Sequence, residues 1–154
     1  MTDAVNSLCC EHLQVTAHAQ GDTLAQVHAS VQSGRFTAIL GPNGAGKSSL
    51  MSILVGLRKP LAGRVVFKGR ALQQWPAAVL AQHMAFMAQD TQVAFSFTSQ
   101  EVVEMGRYPH RHHPKADEAH VVQCAMQATG VMHLADREVA TLSGGERARV
   151  HLAR

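Results

Sequence analysis

At 154 residues the chain is long enough for one domain with a buried core, and 46% hydrophobic against 16% charged residues excludes extensive disorder. The formal net charge of +3 comes from scattered side chains with no Lys/Arg block, which argues against a surface built to track nucleic acid. The start MTDAVNSLCCEH lacks a basic n-region and an apolar h-region, and apolar stretches such as residues 77–81 are too short to span a bilayer. Three cysteines, with Cys9 and Cys10 adjacent, make no disulfide framework, and Cys124 falls in an apolar helical pattern that predicts a core thiol. A cytoplasmic, reduced protein is expected, with any membrane role exerted through a partner.

Residues 12–31 alternate apolar and polar, with Leu13, Val15, Leu24, Val27 and Val31 as the apolar set and Gly21-Asp22 between the two runs. Two antiparallel strands joined by a turn are predicted. The run RFTAIL, residues 35–40, predicts a buried strand that feeds a glycine-rich loop. Beyond the loop, Leu50, Ile53, Leu54 and Leu57 have helical spacing, ended by Gly56, Arg58, Lys59 and Pro60. GRVVFKG at 63–69 predicts a strand, Trp75-Pro76 opens a short helix, and HMAFMAQ at 83–89 predicts another strand. Strands alternating with helices indicate an α/β protein with a partly parallel sheet.

The pattern changes at residue 90. Thr98-x-x-Glu101 is a capping box before Val102, Val103 and Met105, and PHRHHPKAD is a loop bounded by prolines. Val121, Val122, Ala125 and Met126 share one helical face, with Gly130 as the C′ stop. Residues 90–142 therefore read as a small helical insertion. The methionines, including Met84, Met87 and Met126, fall on apolar elements and are expected in the core.

Gly41-Pro42-Asn43-Gly44-Ala45-Gly46-Lys47-Ser48, followed by Ser49, fits G-x-x-x-x-G-K-[ST] at every fixed position. Backbone N–H groups must curl round a phosphate, which needs glycine φ values and close approach, and the following helix aims its positive end at the anion. Lys47 would reach the β- and γ-phosphates and the Ser48 hydroxyl a Mg²⁺ ion. An incidental glycine-rich turn explains the pattern poorly, since it falls between an apolar run and an amphipathic helix. The loop alone does not separate a kinase, a GTPase and a transport ATPase.

Leu142-Ser143-Gly144-Gly145-Glu146 is a second capping box, but capping accounts for Ser143 and Glu146 only. Each helical glycine costs about 0.5–1 kcal/mol relative to alanine, whereas bare backbone at a helix N-terminus lets an anion approach closely. The pair reads as a second phosphate site.

A phosphate loop followed, after a helical insertion, by LSGGE resembles the nucleotide-binding subunits of ABC transporters, from about Leu13 to Arg154. GPNGAGKSS matches their Walker A motif, LSGGERARV their signature motif and Gln89 their Q-loop glutamine. The resemblance implies a RecA-like P-loop core with antiparallel N-terminal strands, divided as 1–89 core, 90–142 helical subdomain and 143–154 signature. It implies ATP and Mg²⁺ as cofactors, with Ser48 and Gln89 near the metal and Gln89 linking the attacking water to a membrane subunit. It also implies a head-to-tail homodimer in which Ser143, Gly144 and Gly145 hold the γ-phosphate of the partner's ATP. Two membrane permease subunits would be contacted through residues 90–114, a periplasmic binding protein indirectly, and no nucleic acid. The expected location is peripheral, on the inner face of the bacterial cell membrane.

Two departures accompany the resemblance. The aromatic that usually stacks on adenine is absent, with only Ala17 and His18 near its place. The Walker B strand, catalytic glutamate, D-loop and switch histidine would follow residue 154. The 154 residues alone are therefore expected to be poorly soluble and inactive, with an unpaired edge and apolar faces exposed along 35–40.

The run AFSFTSQEVVEMGRYPHRHHP, residues 94–114, and VMHLADREVATLSGGE are similar to importers of iron chelates, haem above all. His110, His112 and His113 read as a polar contact loop rather than a metal site, for no second ligand cluster accompanies them. A soluble DNA-repair or translation ATPase is the alternative, against which the short, non-basic insertion counts; a non-hydrolysing fragment is another.

Overall fold

The alternating residues pair as expected in a computed structural model that describes residues 8–16, 23–88, 96–111 and 117–154. The chain divides into two compact units, Met1–Leu80 and Ala81–Arg154. In the first, β1 (Leu8–Thr16) pairs antiparallel with β2 (Thr23–Val31), while the predicted turn at Gly21-Asp22 lies outside the described residues. β3 (Ala62–Phe67) lies on the other side of β1, and β4 (Arg70–Ala71) completes the order β2-β1-β3-β4.

A bulge sets which face of β1 is buried. The register slips between Cys10 and Leu13, and His12 takes φ 48°. The inward side chains therefore switch from Cys10 to Leu13 and Val15, as one extra residue in a period-2 strand requires. Gly63 faces this bulge at φ 81°, and a Cβ there would lie 2.3 Å from the His12 carbonyl oxygen. Only glycine fits that approach.

Helix α1 (Lys47–Leu54) buries Ile53 and Leu54 against this sheet's core. It closes on Gly56, at φ 80°, with Gly56 N donating to Ile53 O and Leu57 N to Ser52 O. These are the paired bonds of a Schellman stop. Leu57 therefore lies past the reversal and is exposed, not in the apolar face that its spacing predicted. The short helix after Trp75-Pro76 is α2 (Ala77–Leu80).

Two predicted strands do not form. Residues 35–40 make no ladder with any described residue, and Phe36 and Leu40 are 97% and 90% exposed. The expected apolar exposure is present but the strand itself is not. A buried strand needs neighbours for its N–H and C=O groups and cover for both faces, and no described strand provides them here. Residues 84–88 also lack a ladder, with Met87 exposed, so every ladder in the described sheet is antiparallel.

The second unit is helical. α3 (Ser99–Met105), α4 (Glu118–Ala128) and α5 (Gly144–Ala153) surround a core of Val102, Val103, Val122, Met126, Leu142 and Val150. The Thr98–Glu101 capping box forms, with Glu101 N donating to Thr98 Oγ1 and Thr98 N to Glu101 Oε2. The start of α3 is stitched to residues 135–139: Ser99 N and Oγ donate to Arg137 O, Gln100 N to Ala135 O, and Val139 N to Phe97 O. α4 ends in a second Schellman stop at Gly130, φ 67°. Cys124 is exposed rather than a core thiol. It lies two residues, about 200° of helical rotation, from buried Val122.

Candidate functional site

The loop 41–46 enters α1 through backbone that side chains disfavour. Gly44 and Gly46 have φ 83° and 87°, and a Cβ on Gly46 would press within 3.3 Å of both Leu24 Cδ1 and Val15 Cγ1. Gly46 is thus fixed twice, by conformation and by contact with β1 and β2. It caps α1 without any side-chain hydrogen bond, and the first turn holds no acidic residue. An uncapped N-terminus with no carboxylate beside it keeps its N–H groups and positive dipole end for an external anion.

Lys47 folds back over the loop, its Nζ donating to Gly41 O at 2.8 Å and Pro42 O at 2.7 Å. Carbonyl oxygens are weaker partners for an ammonium than phosphate, so these contacts hold the lysine beside the loop without committing its charge. Ser48 and Ser49 follow in the same turn, and Ser52 Oγ donates to Ser48 O at 2.9 Å. Gly41, Pro42, Asn43, Gly44, Ala45, Gly46, Lys47, Ser48 and Ser49 thus form one continuous cradle.

Sequence reading missed one residue here. Arg58 donates from Nη1 to Ser49 Oγ at 3.3 Å and from Nη2 to Thr16 Oγ1 at 2.9 Å. Its place just past a helix stop made it look like a terminating residue, and no spacing rule connects it with Ser49.

In the second unit, Leu142 is 4% exposed and anchors the segment, while Ser143, Gly144 and Gly145 are exposed. Ser143 N and Oγ donate to Glu146 Oε2 at 2.9 and 2.7 Å, and Glu146 N donates back to Ser143 Oγ at 3.4 Å. The Ser143 hydroxyl, then its N–H, hold the Glu146 carboxyl below its ordinary range, with Arg137 and Arg149 adding to the effect. Among the described residues, packing does not require glycine at either position. A Cβ on Gly144 would meet nothing within 4 Å, one on Gly145 only Arg149 Nη1 at 3.7 Å, and neither φ is left-handed.

Gln89, Ala17, His18, His112 and His113 lie outside the described residues. In the predicted contact segment, Arg107 makes a bidentate ion pair with Glu118 at 2.5 and 3.0 Å, tying the end of α3 to the start of α4. The Arg111 guanidinium lies 4.5 Å over the Tyr108 ring and donates to its hydroxyl. Arg107, Tyr108 and Glu118 border a cleft of about 430 Å³. Among the described residues no helix is long and apolar enough to cross a membrane.

The family described as "ABC transporter" matches residues 24–154. The Hemin import ATP-binding protein HmuV of Pseudomonas putida is 44% identical over 133 residues, covering 86% of this chain and 52% of that protein. The Cobalamin import ATP-binding protein BtuD of Halobacterium salinarum is 47% identical over 133 residues, covering 85% of this chain and 33% of that one. Among solved structures, an ATP-binding cassette of an ABC transporter in its ADP conformation aligns at TM-score 0.76 and 27% identity, covering 96% of this chain and 63% of its own. A bacterial Atm1-family ABC exporter with ATP bound aligns at TM-score 0.80 and 25% identity, covering 99% and 28%. The chain spans about half the length of the haem-import relatives it matches.

Proposed function

Since the chain belongs to the ABC transporter family, we propose that it supplies the ATP-binding and ATP-hydrolysing subunit of an importer whose cargo is haem. The observation that carries this reading is the N-terminus of α1, without a side-chain cap or a first-turn carboxylate, behind left-handed Gly44 and Gly46. That geometry suits a nucleotide's phosphate chain, and the residues around it suit Mg²⁺. Lys47 would exchange its two carbonyl contacts for β- and γ-phosphate oxygens, and the Ser48 hydroxyl would hold the metal, a role the resemblance also gives to Gln89. Bound Mg²⁺ would neutralise charge on the transferring phosphoryl group, while the protein's own part is positioning.

The exposed Ser143-Gly144-Gly145 backbone is read as the grip on a partner subunit's γ-phosphate, in a head-to-tail homodimer. Two glycines that the chain's own packing does not require support this role. Residues 90–114 are proposed to meet the two permease subunits at the inner face of the membrane, with a periplasmic binding protein delivering cargo. The core and helical-subdomain division at 89 and 142 belongs to the same reading. So does inactivity of the 154 residues alone, because the resemblance supplies no catalytic glutamate within them. Haem takes precedence because several of the relatives carry it in their names, with cobalamin in others. Importer subunits among those relatives favour transport over DNA repair or translation.

The test is uptake of haem and of a ferric siderophore in a strain lacking the gene, restored with wild type or Lys47→Ala. Wild type should restore haem uptake and Lys47→Ala should not. Haem transport that survives Lys47→Ala, or loss confined to the siderophore, refutes the reading.

A further inference from the structure

We propose that Arg58 is a positioning residue for the nucleotide's phosphate chain, acting through the Ser49 hydroxyl. The inference rests on the phosphate reading of residues 41–49 given above. The reversal at Gly56 makes the contact possible. N–H groups of Leu57 and Arg58 both donate to Ser52 O, at 2.9 and 3.1 Å, so the chain turns back beside the helix it has just left. From there one planar guanidinium spans two hydroxyls, Ser49 Oγ in the first turn of α1 and Thr16 Oγ1 at the end of β1. Thr16 is 4% exposed, so the anchor on the β1 side is fixed in the core.

The chemistry of a hydroxyl gives this contact its direction. Serine has one proton to donate and two lone pairs to accept with, whereas arginine only donates. Arg58 therefore occupies a lone pair of Ser49 and leaves its proton to be given to another acceptor. Among the described residues Arg58 is the hydrogen-bond partner that Ser49 Oγ has, and no internal carbonyl takes that proton. Ser49 stands in the first turn of α1, whose N–H groups would face the anion, so a phosphate oxygen there is the acceptor the proposal gives its proton. The fork matters as well as the charge. Lysine, a point charge on a flexible stem, cannot hold both hydroxyls in one plane.

The experiment measures Mg-ATP and adenosine affinity of the intact protein by calorimetry for wild type, Ser49→Ala, Arg58→Met, Arg58→Lys and the Ser49→Ala/Arg58→Met double variant. Each single change should weaken ATP about threefold to tenfold, the scale of one hydrogen bond, and leave adenosine affinity unchanged. Arg58→Lys should not restore ATP affinity, and the double variant should bind no more weakly than Ser49→Ala. Unchanged ATP affinity in Arg58→Met, or effects of the two sites that add in full, overturns the proposal. If Arg58→Met does not fold, Thr16→Val removes the core anchor of the guanidinium and should still weaken ATP about twofold to threefold; no loss overturns the proposal. Lys47→Ala run in parallel separates the two readings. Should it leave ATP affinity intact, the phosphate site itself is refuted, whereas a null effect at Arg58 alone refutes only the positioning role.

Discussion

Replacing Gly144 with alanine should make the protein more stable and less active. The residue is the first of α5, its φ is not left-handed, and a Cβ there would meet nothing within 4 Å. The fold therefore gives no steric penalty, and alanine removes the conformational freedom that glycine retains in the unfolded chain. Gly→Ala at a compatible helical position stabilises by up to about 0.5–1 kcal/mol. For a domain of about 150–250 residues that corresponds to a rise in Tm of about 1–4 °C. A methyl group on that backbone also stands in the way of a phosphate oxygen approaching the N–H groups, so ATP-driven dimerisation and turnover should fall at least tenfold. The assay pairs thermal denaturation without nucleotide with ATP-dependent association of the intact protein. A lower Tm refutes the open-space argument, and unaltered association with raised Tm refutes the phosphate role of Gly144.

Gly46→Ala should behave in the opposite way, losing stability and ATP binding together. Its φ of 87° and the 3.3 Å approaches to Leu24 and Val15 put the cost at about 1–3 kcal/mol, and a chemical denaturation midpoint equal to wild type would contradict it. Glu146 supplies a pH test. Its folded pKa is depressed below the ordinary 4.5, so its stabilising contribution is present above about pH 4.5 and is lost as pH falls through the lower folded value. A side-chain carboxyl NMR titration should place its midpoint below 4.5 and Ser143→Ala should return it toward 4.5; a wild-type midpoint at 4.5 or above contradicts the capping geometry.

Local chemistry was readable where it is written in consecutive residues. Thr98-x-x-Glu101, Ser143-x-x-Glu146, the stops at Gly56 and Gly130 and the glycine-rich turn into α1 all form as their spacing predicts, because each is closed by atoms a few residues apart. Apolar patterning succeeded for β1, β2 and β3, all of which find ladder partners, β2 beside its chain neighbour β1 and β3 across a long connection that sets Phe67 opposite Leu8. It failed at 35–40 and 84–88, where an apolar run specifies burial without specifying what covers it. Cys124 was misplaced because it is flanked by apolar residues without sharing the phase of Val122 and Met126. Arg58 escaped notice since its contacts with Ser49 and Thr16 arise only after the chain has reversed.

The stitch between Phe97 and Val139 has a mechanical consequence. Four hydrogen bonds join Ser99, Gln100 and Phe97 to Arg137, Ala135 and Val139, and one short turn from Val139 to Thr141 then leads to Leu142 and Ser143. At about 1 kcal/mol each, these bonds are too costly together to break for a small displacement. A pull on the chain at Phe97 is therefore carried across to Val139, on the segment that leads to Ser143. Force entering the helical unit at one end of α3 is thus delivered to Val139, one short turn ahead of the first turn of α5.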